Sequence, residues 1–244
     1  MRELMNFARL IWVIFLGTLT YGGMLGLLRY GASERAGNTP KKIWIYWGLS
    51  LGNAAVIMMI CTREWQTLQP VGQNGLTGMG AESVLLSLLA GGLLAAACMD
   101  AESCYVYNYV WWWCLLWTGI LWWIPAGKQS AAGELWQTAD KDRIQQAAAV
   151  LVFIALQQCL FARMYGRADS HAFSVCALIS CRWRAGMPGF LIHMLLAVIL
   201  LAVVQLGRGN VTLSGKLRTP KPFVPYIIIT FWAEILWMFF LRAG

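Results

Sequence analysis

The stretch LFARMYGRADSHAFSVCA, residues 160–177, lies where one apolar run of the chain ends and another begins. It carries Asp169 at the end of a Gly-x-x-Asp turn that starts at Gly166. Ionisable groups placed so deeply in an apolar chain are costly, and in membrane proteins they mark functional sites. A second acid, Asp100, lies at the end of an earlier apolar run. We expect these two carboxylates to meet and the fold to be organised around them.

The composition of the chain is that of an integral membrane protein. Of its 244 residues, 59% are hydrophobic and 12% are charged, which is outside the range of soluble domains. Apolar runs close to the roughly 20 residues that cross a bilayer as a helix recur through most of the length. The sequence therefore predicts an all-α fold, a polytopic transmembrane helical bundle. We expect one integral membrane domain over residues 1–244, with N-terminal helices in 1–80 and the core in 80–241.

The apolar runs predict about eight transmembrane helices, and the first of them is retained because no cleavage site follows it. Their expected limits are residues 7–28, 43–61, 83–99, 105–124, 145–165, 170–182, 187–207 and 223–241. The sixth is short, so it is either a half-helix or continues into a re-entrant turn through Gly186, Pro188 and Gly189. The chain crosses the membrane twice between Asp100 and Asp169, which returns both acids to the same face.

The charge distribution fits loops that touch lipid headgroups. The 19 Lys and Arg residues exceed the 11 acids and are spread over short loops, with no separate basic domain for nucleic acid. Nine of the 19 fall on the side of the termini and ten on the other. The clusters in 29–42 and 208–221 favour the second side as the cytoplasmic one.

The cysteines give no sign of a metal or redox site. There are seven, with no Cys-x-x-Cys pair among them, and most fall in apolar runs, where cysteine is a small packing residue. His193 has no second His or Cys at helical spacing, which favours a packing role. We expect neither a metal nor another cofactor.

Two carboxyl groups held close together cannot both ionise cheaply, so one pKa rises and the pair shares a proton. The ionised partner can take a proton from a water that attacks a peptide carbonyl, while the protonated partner donates to the oxyanion or to the leaving amine. This is the chemistry of an aspartic protease and needs no metal. The alternative is that Asp100 and Asp169 only cap helix N-termini through their side-chain oxygens.

The residues around the two acids resemble the motifs of the type IV prepilin peptidase family, which are membrane aspartic proteases. The first motif is D-A-E-S-C-Y-V-Y-N, residues 100–108. Asp100 stands in the place of the first catalytic acid and Asn108 in that of the family's terminal Asn or Asp, whereas Tyr107 stands where the family usually has Pro. The resemblance covers about residues 80–241 and implies a peptidase-like core there.

The second motif is G-R-A-D-S-H, residues 166–171, and it resembles the Gly-x-Gly-Asp motif of the family. Gly166 and Asp169 match, but Ala168 replaces the second glycine and His171 replaces the usual lysine. If the family turn needs a positive φ at position 168, alanine must change that turn. The loss of the lysine removes a positive charge that would favour the ionised form of Asp169.

The third motif is K-P-F-V-P-Y, residues 221–226, just before the last predicted helix. Pro222, Phe223 and Pro225 match the family's Pro-Phe-x-Pro segment. The chain lacks the cysteine-rich loop after the first helix that bifunctional members carry, so the resemblance implies no methyltransferase activity.

The resemblance implies a multi-pass endopeptidase of the bacterial cytoplasmic membrane that serves type IV pilus assembly or protein secretion. Its substrate would be a pilin-like precursor, whose basic leader is cut at the cytoplasmic face beside its apolar helix. Glu102 could attract the basic leader, although an ordinary solvated acid is the favoured interpretation.

Two other functions stay open. A small-solute or ion transporter would use Glu234, Gln205 and His193 as polar groups inside the membrane, although a hydrogen-bonded contact between helices is the favoured role of Glu234. A catalytically silent relative would act as an assembly or scaffold factor. The glycines at Gly22 and Gly26, and at Gly91 and Gly92, are expected to allow close helix packing.

Overall fold

The described part of the chain is entirely helical. The computed structural model describes residues 2–31, 40–68, 75–123, 145, 148–162, 166–182, 186–207 and 222–241, and these residues form no strand. The helices are α1 (Arg2–Gly31), α2 (Pro40–Leu68), α3 (Gly75–Ser103), α4 (Asn108–Trp123), α5 (148–162), α6 (Arg167–Arg182), α7 (Gly186–Gly207) and α8 (Val224–Leu241). The prediction of an all-α fold is confirmed for this part of the chain.

Three of these helices are long and apolar enough to cross a membrane by length and composition. They contain the segments Leu10–Tyr30 in α1, Ala81–Ser103 in α3 and Gly189–Gly207 in α7. Helices α2, α5 and α8 contain shorter apolar segments, Trp44–Met59, Ala148–Leu160 and Val224–Trp237. The membrane character of the chain is thus supported, whereas eight crossings remain a prediction.

The helix limits differ from the predicted ones at informative places. Helix α3 extends to Ser103 and so includes Asp100, and α6 begins at Arg167 and so includes Asp169. Gly186, Pro188 and Gly189 form the first turn of α7, where proline is tolerated because the first amides of a helix have no intrahelical partner. Residues 146–147 and 163–165 of the predicted fifth helix lie outside the described residues.

The chain divides into two compact units. The first contains Met1–Ala95 and Trp112–Ser130, and the second contains Ala96–Trp111 and Ala131–Gly244. The second unit holds all three motifs, since the end of α3 and the start of α4 belong to it.

In the first unit, α3 packs against α1 and α4 through glycines. A Cβ atom at Gly91 would lie 2.7 Å from the backbone oxygen of Thr20 in α1. A Cβ atom at Gly92 would lie 2.7 Å from Cys114 Sγ and from the ring of Trp113 in α4. The indole of Trp113 also donates a hydrogen bond to the carbonyl of Leu88 at 3.0 Å. Gly91 and Gly92 therefore allow the close packing that the sequence predicts.

Gly22 and Gly26 differ from this pair, because no described atom lies within 4 Å of a Cβ atom built on either of them. Their small size is not used in packing among the described residues of the first unit.

In the second unit, α6, α7 and α8 enclose an aromatic core around His193. The rings of Phe173, Phe190 and Phe231 lie 5.6–5.8 Å from the His193 ring. His193 Nε2 donates a hydrogen bond to the carbonyl of Ile227 in α8 at 2.8 Å. This contact gives the buried imidazole a structural role between helices, as the sequence predicts.

Replacement of Gly91 by alanine is expected to destabilise the protein. The added Cβ would meet the backbone of α1, which cannot move without disturbing the helix, so the free energy of unfolding should fall by about 1–3 kcal/mol. The thermal unfolding midpoint in detergent measures this change. The control is Gly22→Ala, which adds the same atom in open space; equal midpoints for the two variants would contradict the packing argument.

Candidate active site

The carboxylate of Asp100 lies at the start of α8. Asp100 is in the last turn of α3 and is only 4% exposed. The backbone N–H of Val224, the first residue of α8, donates a hydrogen bond to Asp100 Oδ2 at 2.9 Å, and the backbone of Phe223 adds a second hydrogen bond. The first amides of a helix lack intrahelical partners and carry a partial positive charge, so they stabilise an anion. Asp100 therefore caps the N-terminus of α8, and its partner Val224 lies 124 residues away in the sequence.

The Pro-Phe-x-Pro motif builds this anion-binding helix start. Pro222 precedes the helix and Pro225 is in its first turn, where a fixed φ suits the helical backbone. The carbonyl of Phe223 accepts the N–H groups of Tyr226 and Ile227 at 3.0 and 3.2 Å, which closes the first turn. The Phe223 ring is buried and packs edge-to-face on Phe173 of α6, with the ring centroids 5.7 Å apart. The motif thus fixes the start of α8 against α6.

Asp169 is in the first turn of α6 and is 8% exposed. Burial raises its pKa from the ordinary value of 3.8 to about 8, and the negative charge of Asp100 adds to the effect. Asp100 is thus close enough for its charge to act on the second acid. The two acids thus act on each other electrostatically, while the distance between their carboxyl groups remains a prediction.

Gly166 supplies the backbone conformation that the turn before Asp169 needs. Its φ is +118°, a value that side-chain-bearing residues rarely adopt. A Cβ atom there would also lie 3.2 Å from Asp169 Oδ2. The carbonyl of Gly166 accepts the N–H of Ser170 at 3.2 Å and starts the helix.

Ala168 is inside α6 and not at the strained position of the turn. Among the described residues, positive φ values occur at Gly166 and Cys104. A glycine at position 168 is therefore not needed for this turn.

A polar network that the sequence analysis did not identify connects α5 to α6 beside Asp169. Helix α5 ends in a π-helical turn, Gln157–Phe161, and the hydroxyl of Ser170 donates to the carbonyl of Gln157 at 2.9 Å. The amide of Gln158 lies 3.3 Å from both His171 Nδ1 and Ser174 Oγ. The polar pair Gln157 and Gln158 within an apolar run was the sequence signal for this network.

The remaining predicted site residues lie in the end turns of α3, α4 and α6. Asn108 is the exposed first residue of α4. The ring of His171 is half-buried and lies 5.8 Å from the ring of Trp111. Glu102 is exposed in the last turn of α3.

The site therefore combines residues from three separate parts of the second unit, namely the end of α3, the start of α6 and the start of α8. Comparisons of the chain with protein-family models, with curated proteins and with solved structures find no match.

Substitution of Gly166 by alanine is expected to strain the turn. The backbone would have to leave φ +118° or hold alanine there, and the new methyl group would push against Asp169 Oδ2. The free energy of unfolding should fall by about 1–3 kcal/mol. Ala168→Gly is the matched control and should cost about 1 kcal/mol or less, because it only weakens the first turn of a helix. Thermal unfolding of both variants measures the difference, and a larger loss for Ala168→Gly would refute this assignment.

The raised pKa of Asp169 predicts a specific pH dependence of stability. Between its ordinary pKa of 3.8 and about 8, the folded protein keeps a proton that the unfolded chain has lost. The contribution of this group to stability therefore falls as the pH rises across that range. Asp169→Asn has no titrating carboxyl group at this position. Its free energy of unfolding should therefore exceed that of the wild type at pH 8, and the difference between the two proteins should be smaller at pH 4.

Unfolding midpoints at pH 4, 6 and 8 test this dependence. Glu102→Gln, which changes an exposed acid of the same region, should follow the wild-type profile. A wild-type slope that persists in Asp169→Asn would mean that another group carries the dependence.

Proposed function

We propose that this protein is a membrane-embedded aspartic endopeptidase that resembles the type IV prepilin peptidases. The observation that carries the proposal is the electrostatic effect of one buried carboxyl group, Asp100, on a second, Asp169, on a different helix. The third motif supports it, because Val224 holds Asp100 through its backbone N–H. The three motifs were identified from the sequence alone, without any information on their positions in the fold. Their convergence in the second unit is therefore independent support for the proposal.

The environments of the two acids give them different roles. Burial disfavours the ionised form of Asp100, and the backbone N–H groups at the start of α8 offset part of that cost through charge-assisted hydrogen bonds. Asp169 keeps its proton at neutral pH because its pKa is raised to about 8. In the proposed mechanism Asp100 is therefore the general base and Asp169 the general acid.

The reaction follows from this division. Asp100 takes a proton from a water molecule while the water oxygen bonds to the carbon of the scissile peptide carbonyl. Asp169 donates its proton to the carbonyl oxygen, which gives a neutral tetrahedral diol. Asp169, now ionised, takes back the proton of one hydroxyl and Asp100 protonates the amine, so that the C–N bond breaks. Both acids return to their starting forms.

The location of the pair supports a substrate that lies in the membrane. Asp100 is near the C-terminal end of the apolar segment Ala81–Ser103, so the site is at the end of a membrane-spanning helix. A precursor whose apolar helix lies beside this segment would present its cleavage site at the membrane boundary. We propose a pilin-like precursor with a basic leader, cut at the cytoplasmic face of a bacterial membrane by a multi-pass enzyme.

The departures from the family motif do not remove the proposed chemistry. Ala168 is in helical backbone, so the turn is formed by Gly166. His171 replaces a lysine that would favour the ionised form of Asp169, whereas the proposed mechanism uses the protonated form of Asp169. These two observations favour an active peptidase over a silent assembly factor.

A transporter is the second candidate, and one observation favours it. Glu234 in α8 is 5% exposed, and neither of its carboxyl oxygens has a hydrogen-bond partner among the described residues. A buried carboxyl group without a partner is typical of sites that bind a proton or cation. Such a role is independent of Asp100 and Asp169.

Cleavage of a pilin-like precursor by the purified full-length protein in lipid nanodiscs tests the peptidase. We expect the wild type to cut, and Asp100→Asn and Asp169→Asn each to lower the rate by at least about 100-fold, because each removes a proton-transfer group. Both variants should keep the wild-type circular dichroism spectrum. Cutting by either variant at the wild-type rate would remove the pair from the mechanism.

Glu234→Gln is the control, since it neutralises a buried acid outside the pair. The peptidase proposal expects it to cut at close to the wild-type rate. If Glu234→Gln lost cleavage while Asp100→Asn and Asp169→Asn kept it, Glu234 and not the pair would be essential for activity.

A further inference from the structure

Two buried polar side chains toward the ends of α6 and α8 have no role in the proposed reaction, namely Ser180 and Glu234. Ser180 is 1% exposed and Glu234 is 5% exposed. Neither the hydroxyl of Ser180 nor either carboxyl oxygen of Glu234 has a hydrogen-bond partner among the described residues. A buried polar group without a partner costs free energy, and a buried carboxylate without one costs more. The two side chains therefore indicate a site that a ligand completes.

Helices α6, α7 and α8 pack against one another in the second unit, and their contacts fix their directions. The ring of Phe173, in the second turn of α6, packs on Phe223 at the start of α8, so these two helices begin at the same end. Only residues 183–185 separate α6 from α7, and so short a connection makes neighbouring helices antiparallel. The last turn of α6 and the first turn of α7 therefore lie together, at the end opposite to Asp169.

Ser180 and Glu234 lie at the same level along the axes of these helices. His193 of α7 defines a reference level, because its ring lies 5.8 Å from the ring of Phe173 in α6 and its Nε2 donates to the carbonyl of Ile227 in α8 at 2.8 Å. Ser180 follows Phe173 by seven residues, and Glu234 follows Ile227 by seven. Seven residues are close to two turns of a helix, so each side chain lies on the same face as its reference residue and about 10 Å further along. The carboxyl group of Glu234 is thus brought to the last turn of α6.

The oxygen atoms at this level suit a cation. Ser180 is in the last turn of α6, which ends at Arg182, and the last carbonyl groups of a helix have no intrahelical partners and carry a partial negative charge. With the hydroxyl and the carboxylate they form a set of oxygen ligands beside the apolar segment Val224–Trp237 of α8. Helix ends of this kind coordinate Na⁺ in membrane transport proteins.

The charge at this level favours a monovalent cation. A divalent ion usually takes several carboxylates, whereas the described residues contain no group of three or more His, Cys, Asp or Glu that could hold a metal ion. The first amides of α7 could instead attract Glu234 as an anion. However, neither carboxyl oxygen accepts a hydrogen bond from the described part of the chain, and Pro188 in that turn has no N–H.

We propose that Glu234, Ser180 and the last carbonyl groups of α6 bind a monovalent metal cation such as Na⁺ within the membrane. The cation gives the unpaired oxygens of both helices a partner and so holds α6 to α8. Binding requires neither Asp100 nor Asp169, so it is independent of the peptidase proposal. It supplies the ligand that the second candidate function needs, but it requires no transport.

Carbodiimide labelling of the full-length protein in phosphatidylcholine nanodiscs tests this site. Dicyclohexylcarbodiimide enters the bilayer and reacts with a carboxyl group that holds a proton, so a cation bound to Glu234 should block the reaction. We expect mass spectrometry to find the adduct on Glu234 at pH 7 when choline chloride is the only salt. Replacement of choline by Na⁺ at constant ionic strength should slow this labelling by about tenfold once Na⁺ is about ten times its dissociation constant, because only free sites react. Asp169 also holds its proton at neutral pH, and its labelling should not depend on Na⁺.

Variants of Ser180 make the test specific. Ser180→Ala removes one proposed ligand and leaves the carboxyl group, so it should still be labelled but need at least about tenfold more Na⁺ for the same protection. Ser180→Thr keeps the hydroxyl and should restore the protection. Ser87→Ala is the matched control, since Ser87 is also buried without a described partner but lies in the first unit. As a second readout, Na⁺ should raise the thermal unfolding midpoint relative to choline in the wild type but not in Glu234→Gln.

Labelling of Glu234 that Na⁺ does not slow would mean that the group binds only a proton, and it would overturn the proposal. So would a carboxyl group that does not react in choline, if Na⁺ also leaves the unfolding midpoint unchanged, because Glu234 would then be ionised and paired within the chain. Full protection in Ser180→Ala would remove α6 from the site and overturn it as well. If Na⁺ protects Glu234 but the wild type cuts no pilin-like precursor, the cation site stands and the peptidase proposal fails.

Discussion

The hydrogen bond from the Val224 N–H to Asp100 Oδ2 is the contact on which the site depends. It satisfies two groups that are costly to bury without a partner, namely a helix-terminal amide and a carboxylate. It also joins α3 to α8 across 124 residues of sequence. Since Phe223 packs on Phe173 next to this bond, the start of α8 is held between both acid-bearing helices.

The bond also makes the two acids unequal. Backbone N–H groups offset part of the cost of burying Asp100 as an anion, whereas Asp169 is buried near the charge of Asp100 and holds its proton. The asymmetry therefore comes from a helix terminus and requires no basic side chain. In a site with little water, fixed dipoles of this kind are more effective than they would be in solvent. This explains how a histidine at position 171 is compatible with the proposed chemistry.

Much of the fold follows from local sequence, whereas the partners within the site do not. The apolar runs predict the positions of the helices, and the two acids and the Pro-Phe-x-Pro segment identify the residues that converge. The fourth helix, predicted to begin at residue 105, begins at Asn108. A glycine at the turn before the second acid is predicted from sequence, and the positive φ is indeed at Gly166, while Ala168 is in helical backbone. The bond between Asp100 and Val224 uses a backbone N–H, so the side chain of Val224 gives no sign of it although the segment itself was identified.

The π-helical turn at the end of α5 has a consequence for how this chain can vary. A π-turn contains one residue more than the α-helical turn that it replaces, and Ala162 bonds to Gln157 five residues earlier. Deletion of one residue within 157–161 would replace the widened turn by a regular α-helical turn and leave the helix on either side in the same rotational register. It would change the backbone at Gln157, whose carbonyl now meets both the N–H of Ala162 and the hydroxyl of Ser170, the latter at 2.9 Å. The π-turn thus positions the acceptor that holds the start of the helix carrying the second acid, and relatives that keep this hydrogen bond are expected to keep the extra residue.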